Sequence, residues 1–197
     1  MDINVLVNKM NEFERERRYI LGIDGLSRAG KTSIVTEIGQ YLKERNQSFH
    51  IFHMDELIVQ RIDRYNTGHE EWFEYFQLQW NTQWLKDNLF RKLKESRDVL
   101  LPFYCNESDT HSNRKVILPK TGLIIVEGVF LQRDEWKEFF DFVVYMDCTR
   151  EIRFKRESLS TQQNIKKFEE RYWKAEDYYL QKIQPLAHAD LVLVSGE

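Results

Sequence analysis

Five stretches of this chain read as strands: residues 19–23, 48–54, 123–128, 142–147 and 190–194, and the last three are nearly unbroken apolar runs. Strands that keep no polar face for water belong to a parallel sheet covered on both sides. Between them the apolar spacing changes to that of helices. Ile34, Val35, Ile38 and Leu42 form one face of residues 32–45. Trp72, Phe73, Phe76, Trp80, Trp84, Leu85, Leu89 and Leu93 do the same over 68–96, enough for one or two helices packed on a sheet. Residues 3–18 carry Ile3, Leu6, Val7, Met10 and Phe13 on one face and end in the charged run 14–18, so residues 1–18 are expected to form an N-terminal amphipathic helix with those charges in solvent. Two further runs, 99–104 and 115–119, flank a polar stretch and predict a small peripheral hairpin. With no repeat, low-complexity segment or linker, residues 1–197 are expected to form a single domain, a three-layer α/β sandwich.

The end of the first predicted strand changes the picture. Residues 25–32 read Gly-Leu-Ser-Arg-Ala-Gly-Lys-Thr, a complete G-x-x-x-x-G-K-S/T phosphate-binding loop between strand and helix. Its glycines let successive N–H groups turn inward. Lys31 brings a point charge to the β- and γ-phosphates, the Thr32 hydroxyl is placed to ligate Mg²⁺, and the helix dipole adds partial positive charge. Gly25, Leu26, Ser27, Arg28, Ala29, Gly30, Lys31, Thr32 and Ser33 are therefore the expected nucleoside triphosphate site.

Ligands of such sheets bind outside the carboxyl ends of the strands. Asp55 lies there, and is read as a general base for an attacking hydroxyl, with a helix N-cap as the alternative. Glu127 ends a strand and is read as reaching Mg²⁺ through water; the plainer reading is an acid that terminates a strand. Arg150, Arg153 and Arg156 recur one helical turn apart, forming either a lid over the triphosphate or a solvated face with ion pairs. Tyr104 and His111, in the polar stretch between hairpin arms, mark where an acceptor pocket would lie if they are not simply solvated.

Net charge is −3 with both signs interspersed, so no basic stripe suits nucleic acid. No apolar run approaches a membrane span. Cys105 and Cys148 have no metal-ligand spacing, and the N-terminus lacks a secretory pattern, which leads us to expect a cytoplasmic chain.

With these residues in hand, the chain resembles the uridine kinase and phosphoribulokinase-like branch of P-loop kinases from Ile20 to Gly196. The resemblance rests on Ile23-Asp24-Gly25-Leu26-Ser27 leading into Ala29-Gly30-Lys31-Thr32, on Asp55 after His53-Met54, on residues 126–130 (Val-Glu-Gly-Val-Phe), on residues 142–147 with Arg153 and Arg156 after them, and on the closing run 189–193. It implies ATP as donor, a P-loop NTPase sandwich with a five-stranded parallel sheet and a small lid, Asp55 as base, and Arg153 and Arg156 as lid arginines. It also aligns Tyr104 and His111-Ser112 with the family's base-contacting Tyr and His-Ser. Glu56-Leu57-Ile58, Cys105 and the short segment 158–163 depart from the family pattern, mostly on the acceptor side. The expected activity is a phosphotransferase moving the γ-phosphate of Mg-ATP to a hydroxyl of a small metabolite, a nucleoside first. A pantothenate- or sugar-like acceptor and a catalytically idle nucleotide-binding regulator are the alternatives. A guanine-specific N-K-x-D box and a D-x-x-G switch are absent from the sequence. Expected partners are a small-molecule acceptor, neither nucleic acid nor a membrane, with a homo-oligomer left open.

Overall fold

A computed structural model describes residues 3–13 and 16–196. Its centre is a five-stranded, all-parallel sheet of β1 (Arg18–Gly25), β2 (Phe49–His53), β5 (Gly122–Gly128), β6 (Phe142–Asp147) and β7 (Leu191–Val194), in the order β2-β5-β1-β6-β7. β3 (Asp98–Cys105) and β4 (Thr110–Ile117) form a separate antiparallel hairpin. The chain is thus a three-layer α/β P-loop sandwich. The continuous apolar runs follow from this layering, because alternate residues of one strand enter different cores. Leu123 and Ile125 face one with Leu21, Ile23 and Val144, while Ile124 and Val126 face the other with Ile20 and Phe52.

The first core is closed by α1 (Ile3–Asn11), through Leu6 and Met10, and by α2 (Lys31–Glu44), through Ile34, Val35, Ile38 and Leu42. On the other face, α3 (Arg61–Arg64) precedes α4 (Glu71–Gln77) and α5 (Thr82–Asn88), which bring Phe76 and Leu85 against the sheet. The aromatic stretch thus holds two helices plus a 3-10 turn, Phe90–Lys92. After β6 come α6 (Arg150–Lys155), α7 (Leu159–Gln162) and α8 (Ile165–Lys167). α8 runs through a π-helical segment, Phe168–Trp173, into α9 (Lys174–Lys182), and α10 (Pro185–His188) leads to β7. Ala175 and Tyr179 of α9 complete the second core.

Two expectations are corrected here. The N-terminal helix stops at Asn11 rather than continuing to residue 18. Phe13 stacks on Tyr19 at 3.9 Å, so the chain has already turned back toward the sheet. Arg18, expected in solvent, is a buried strand residue that donates to Pro119 O (2.5 Å) and Leu93 O (2.9 Å). Met1, Asp2, Glu14 and Arg15 of that expectation lie outside the described residues. The hairpin is also longer than its apolar arms, since the polar residues 110–114 belong to β4 and pair as far as Cys105 with Thr110. His111 therefore sits on a strand opposite Tyr104, not in a loop. A strand whose side chains are mostly exposed carries no apolar signal to mark it. No described helix is long and apolar enough to cross a membrane.

Candidate active site

The loop after β1 turns where the sequence supplies glycine. Gly25 has φ of +149°, and a Cβ there would stand 2.8 Å from Met146 O, so both the conformation and the neighbouring strand require glycine. Gly30, with φ of +96°, precedes the first turn of α2, whose unpaired N–H groups face the loop's interior. Lys31 is buried and its Nζ donates to Leu26 O across the loop at 3.0 Å. Burial lowers the Lys31 pKa, with Glu127, Asp55 and Asp24 opposing the shift. Beneath the loop lies Asp24, a residue without an expected role. Its carboxylate accepts from Gly25 N (2.8 Å), Leu131 N (3.2 Å), Gln132 Nε2 (2.9 Å) and the Tyr179 hydroxyl (2.5 Å). A charged side chain inside an apolar strand was the available signal.

The parallel register sets Glu127 of β5 between Ile23 of β1 and His53 of β2. One carboxylate oxygen, Oε1, accepts from the Thr32 hydroxyl at 3.2 Å and meets His53 Nδ1 at 2.8 Å. The bond to Glu127 raises the His53 pKa. The other oxygen, Oε2, is buried without a partner among the described residues. A buried carboxylate oxygen left unpaired is costly, so it marks a place that expects a donor or a cation. Among the described residues no group of three or more His, Cys, Asp or Glu side chains suits a metal ion. Mg²⁺ needs no such cage, because it keeps waters and phosphate oxygens as ligands beside one or two side chains. Thr32 and Glu127 fit that donor set. His53, not singled out in the sequence, orients the carboxylate.

Asp55 follows β2 in a 3-10 turn, Met54–Leu57, which lacks a side-chain cap. It lines a cavity of about 970 Å³ together with Lys31, Thr32, Glu127, Arg153 and Arg156. Open to the water of the cavity but surrounded by protein on most sides, its carboxyl is pushed up by that burial, and Lys31 pulls the other way. The same cavity is lined by Ile58, Tyr75, Gln79 and Tyr172. Tyr75 and Tyr172 meet edge to face at 5.0 Å.

The three arginines do not share a free stripe. Arg150 pairs with Asp177 of α9. Arg153 is buried and forms two bonds with Glu176, at 2.7 and 2.9 Å, while also donating to Ser27 O of the phosphate loop at 3.2 Å. Arg156 donates to Arg28 O (2.9 Å), Ser195 Oγ (3.2 Å) and Gly196 O (2.6 Å). Arg28 itself pairs with Glu157 at 2.9 Å, closing a second link between loop and lid.

Tyr104 and His111 are not among the residues lining this cavity. The Tyr104 hydroxyl donates to Asp109 at 2.8 Å and accepts from Arg64 at 3.2 Å, and His111 Nε2 meets Ile58 O at 2.8 Å. The pair braces the back of the segment that carries Asp55. Tyr75 and Gln79 line the front, and no spacing in the sequence distinguishes them from the core aromatics around them.

Comparison with known proteins places this geometry. The Phosphoribulokinase / Uridine kinase family matches residues 20–164. A solved structure described as a possible uridine kinase from Bacillus stearothermophilus is 50% identical, with 97% of this chain and 96% of that chain covered and a TM-score of 0.87. The uridine kinase of Macrococcus caseolyticus is 25% identical over 195 residues, covering 90% of this chain and 88% of that protein. Uridine-cytidine kinase B of Dictyostelium discoideum is 26% identical over 154 residues; the match takes in 74% of this chain but only 59% of that protein's length. A phosphate loop on β1, an acid at the end of β5 and a match spanning most of the sheet together make this chain a member of the Phosphoribulokinase / Uridine kinase family.

Proposed function

We propose that the protein is a small-molecule kinase that transfers the γ-phosphoryl group of Mg-ATP to a hydroxyl of a nucleoside. The observation that carries this reading is the meeting of Asp55, Lys31, Thr32 and Glu127 in one cavity of about 970 Å³, which also takes in Tyr75, Gln79 and Tyr172. Residues 25–33 hold the triphosphate through backbone N–H groups, with Lys31 turning from Leu26 O to the phosphates. Thr32 and Glu127 hold Mg²⁺, which when bound spreads the charge of the β- and γ-phosphates. Asp55 takes the proton of the attacking hydroxyl as the new O–P bond forms and the bond to the leaving β-phosphate oxygen breaks. Arg153 and Arg156 hold α6 against the phosphate loop through Ser27 O and Arg28 O, and Arg156, beside the same cavity, adds positive charge near the phosphates. The names of the uridine kinase relatives support a nucleoside acceptor.

A second reading, a kinase for a pantothenate- or sugar-like acceptor, draws on the internal bonding of Tyr104 and His111. An ADP-release assay over pyrimidine and purine nucleosides, pantothenate and sugars separates the two. Turnover with nucleosides supports the first, turnover with a non-nucleoside alone supports the second, and tight ATP binding without any turnover identifies an idle regulator.

A further inference from the structure

The wall of the cavity next to Asp55 is held in place by two long-range bonds. Trp80 Nε1 donates to Met54 O at 2.8 Å, one residue before Asp55, and Val59 N donates to Gln79 O at 3.1 Å, four residues after it. Gln79 and Trp80 are thus bolted across the whole turn that carries Asp55. Tyr75 is on α4 and Gln79 lies two residues past the helix's last residue, Gln77, and both line the same cavity. Burial and the nearby Asp55 charge raise the Tyr75 pKa, which keeps the phenol neutral. Tyr172 closes the pair from the π-helical segment, itself anchored on α4 by the buried Arg171–Glu74 ion pair at 3.1 Å. Among the residues of this wall that line the cavity, the side-chain amide oxygen of Gln79, a residue 8% exposed, is buried and without a partner among the described residues.

Resting on the nucleoside reading, we propose that Gln79 is the specificity-determining residue for the acceptor, its amide hydrogen-bonding the polar edge of the base while Tyr75 and Tyr172 enclose the ring. An amide offers a donor and an acceptor side by side, and turning it over exchanges them. That matches the adjacent donor and acceptor at the edge of uracil or of cytosine. The aromatic walls add stacking area around a flat ring. Tyr104 and His111 stand outside the lining of this cavity, with the Tyr104 hydroxyl bonded to Asp109 and Arg64 and His111 Nε2 bonded to Ile58 O. Their part is to hold the Asp55 turn from behind.

The test is steady-state kinetics of Gln79→Leu and Gln79→Glu with uridine and cytidine, beside His111→Ala, with melting temperature and ATP KM followed in each. Losing one such bond raises KM about tenfold. The expected result is that rise for both nucleosides in Gln79→Leu, with ATP KM and melting unchanged, a changed uridine-to-cytidine ratio in Gln79→Glu, and a smaller effect in His111→Ala. Should Gln79→Leu melt early, Gln79→Glu, which keeps size and polarity, decides alone. A nucleoside turned over with KM indifferent to residue 79, or raised more by His111→Ala, overturns the inference and leaves the nucleoside reading standing. Turnover of a non-nucleoside only, or no turnover, overturns both.

Discussion

Arg153 and Glu176 face each other in a two-pronged ion pair, Nη1 to Oε1 at 2.7 Å and Nη2 to Oε2 at 2.9 Å, with both residues buried. The guanidinium also reaches Cys148 O and Ser27 O, so one side chain ties α6, α9 and the phosphate loop together. A lone lid arginine would leave its charge for the phosphates, whereas this one is neutralised at rest.

Arg153→Met should therefore destabilise the fold by about 3–5 kcal/mol, because Glu176 would be left buried and unpaired. Replacing Glu176 by Leu in the same chain should restore much of the loss. Urea denaturation of the single and double variants measures both. A single variant that melts normally but turns over slowly would assign Arg153 to charge stabilisation alone.

Lys31→Ala should abolish tight ATP binding while changing stability by only about 1 kcal/mol, since the nucleotide-free loop loses one hydrogen bond, to Leu26 O. Isothermal calorimetry with Mg-ATP and a thermal melt give the two halves of this prediction.

Asp55→Asn should keep ATP binding and lower kcat by about 10²–10⁴-fold. Burial raises the Asp55 pKa, so the protonated, inactive form persists to a higher pH than for an ordinary carboxyl. The acid limb of kcat/KM should then lie above the usual value of about 3.9. The limb should vanish from the residual activity of Asp55→Asn.

The Glu74–Arg171 pair predicts a pH dependence of stability. Burial pushes the Glu74 carboxyl up, but bonds from Thr67 and Arg171 outweigh it and leave the pKa below the ordinary value. A depressed carboxyl contributes stability above its unfolded pKa of about 4.3 and loses it as pH falls through the folded value. Glu74→Gln should be less stable at neutral pH, and the gap to wild type should narrow as the solution is acidified. Melting curves across that range check the sign.

By itself the sequence determined which segments form the parallel sheet, where the phosphate loop lies and which acids stand at strand ends. Those features are local: a glycine that must adopt positive φ, an apolar run that must bury both faces, a helix that must start at Lys31. What only the tertiary structure decided are relations across large sequence distance. Glu127 meets His53 because β5 lies between β1 and β2, an order no single strand encodes. The spacing of Arg150, Arg153 and Arg156 is right for one helix face, yet their partners on α9 and the C-terminal residues divide them. Tyr104 and His111 do pair, but on a hairpin whose hydrogen bonds turn them toward Asp109, Arg64 and Ile58 O, leaving Tyr75, Gln79 and Tyr172 to face the cavity. A tyrosine or glutamine looks the same in sequence whether it fills a core or lines a site. Packing against the turn that carries Asp55 made the difference.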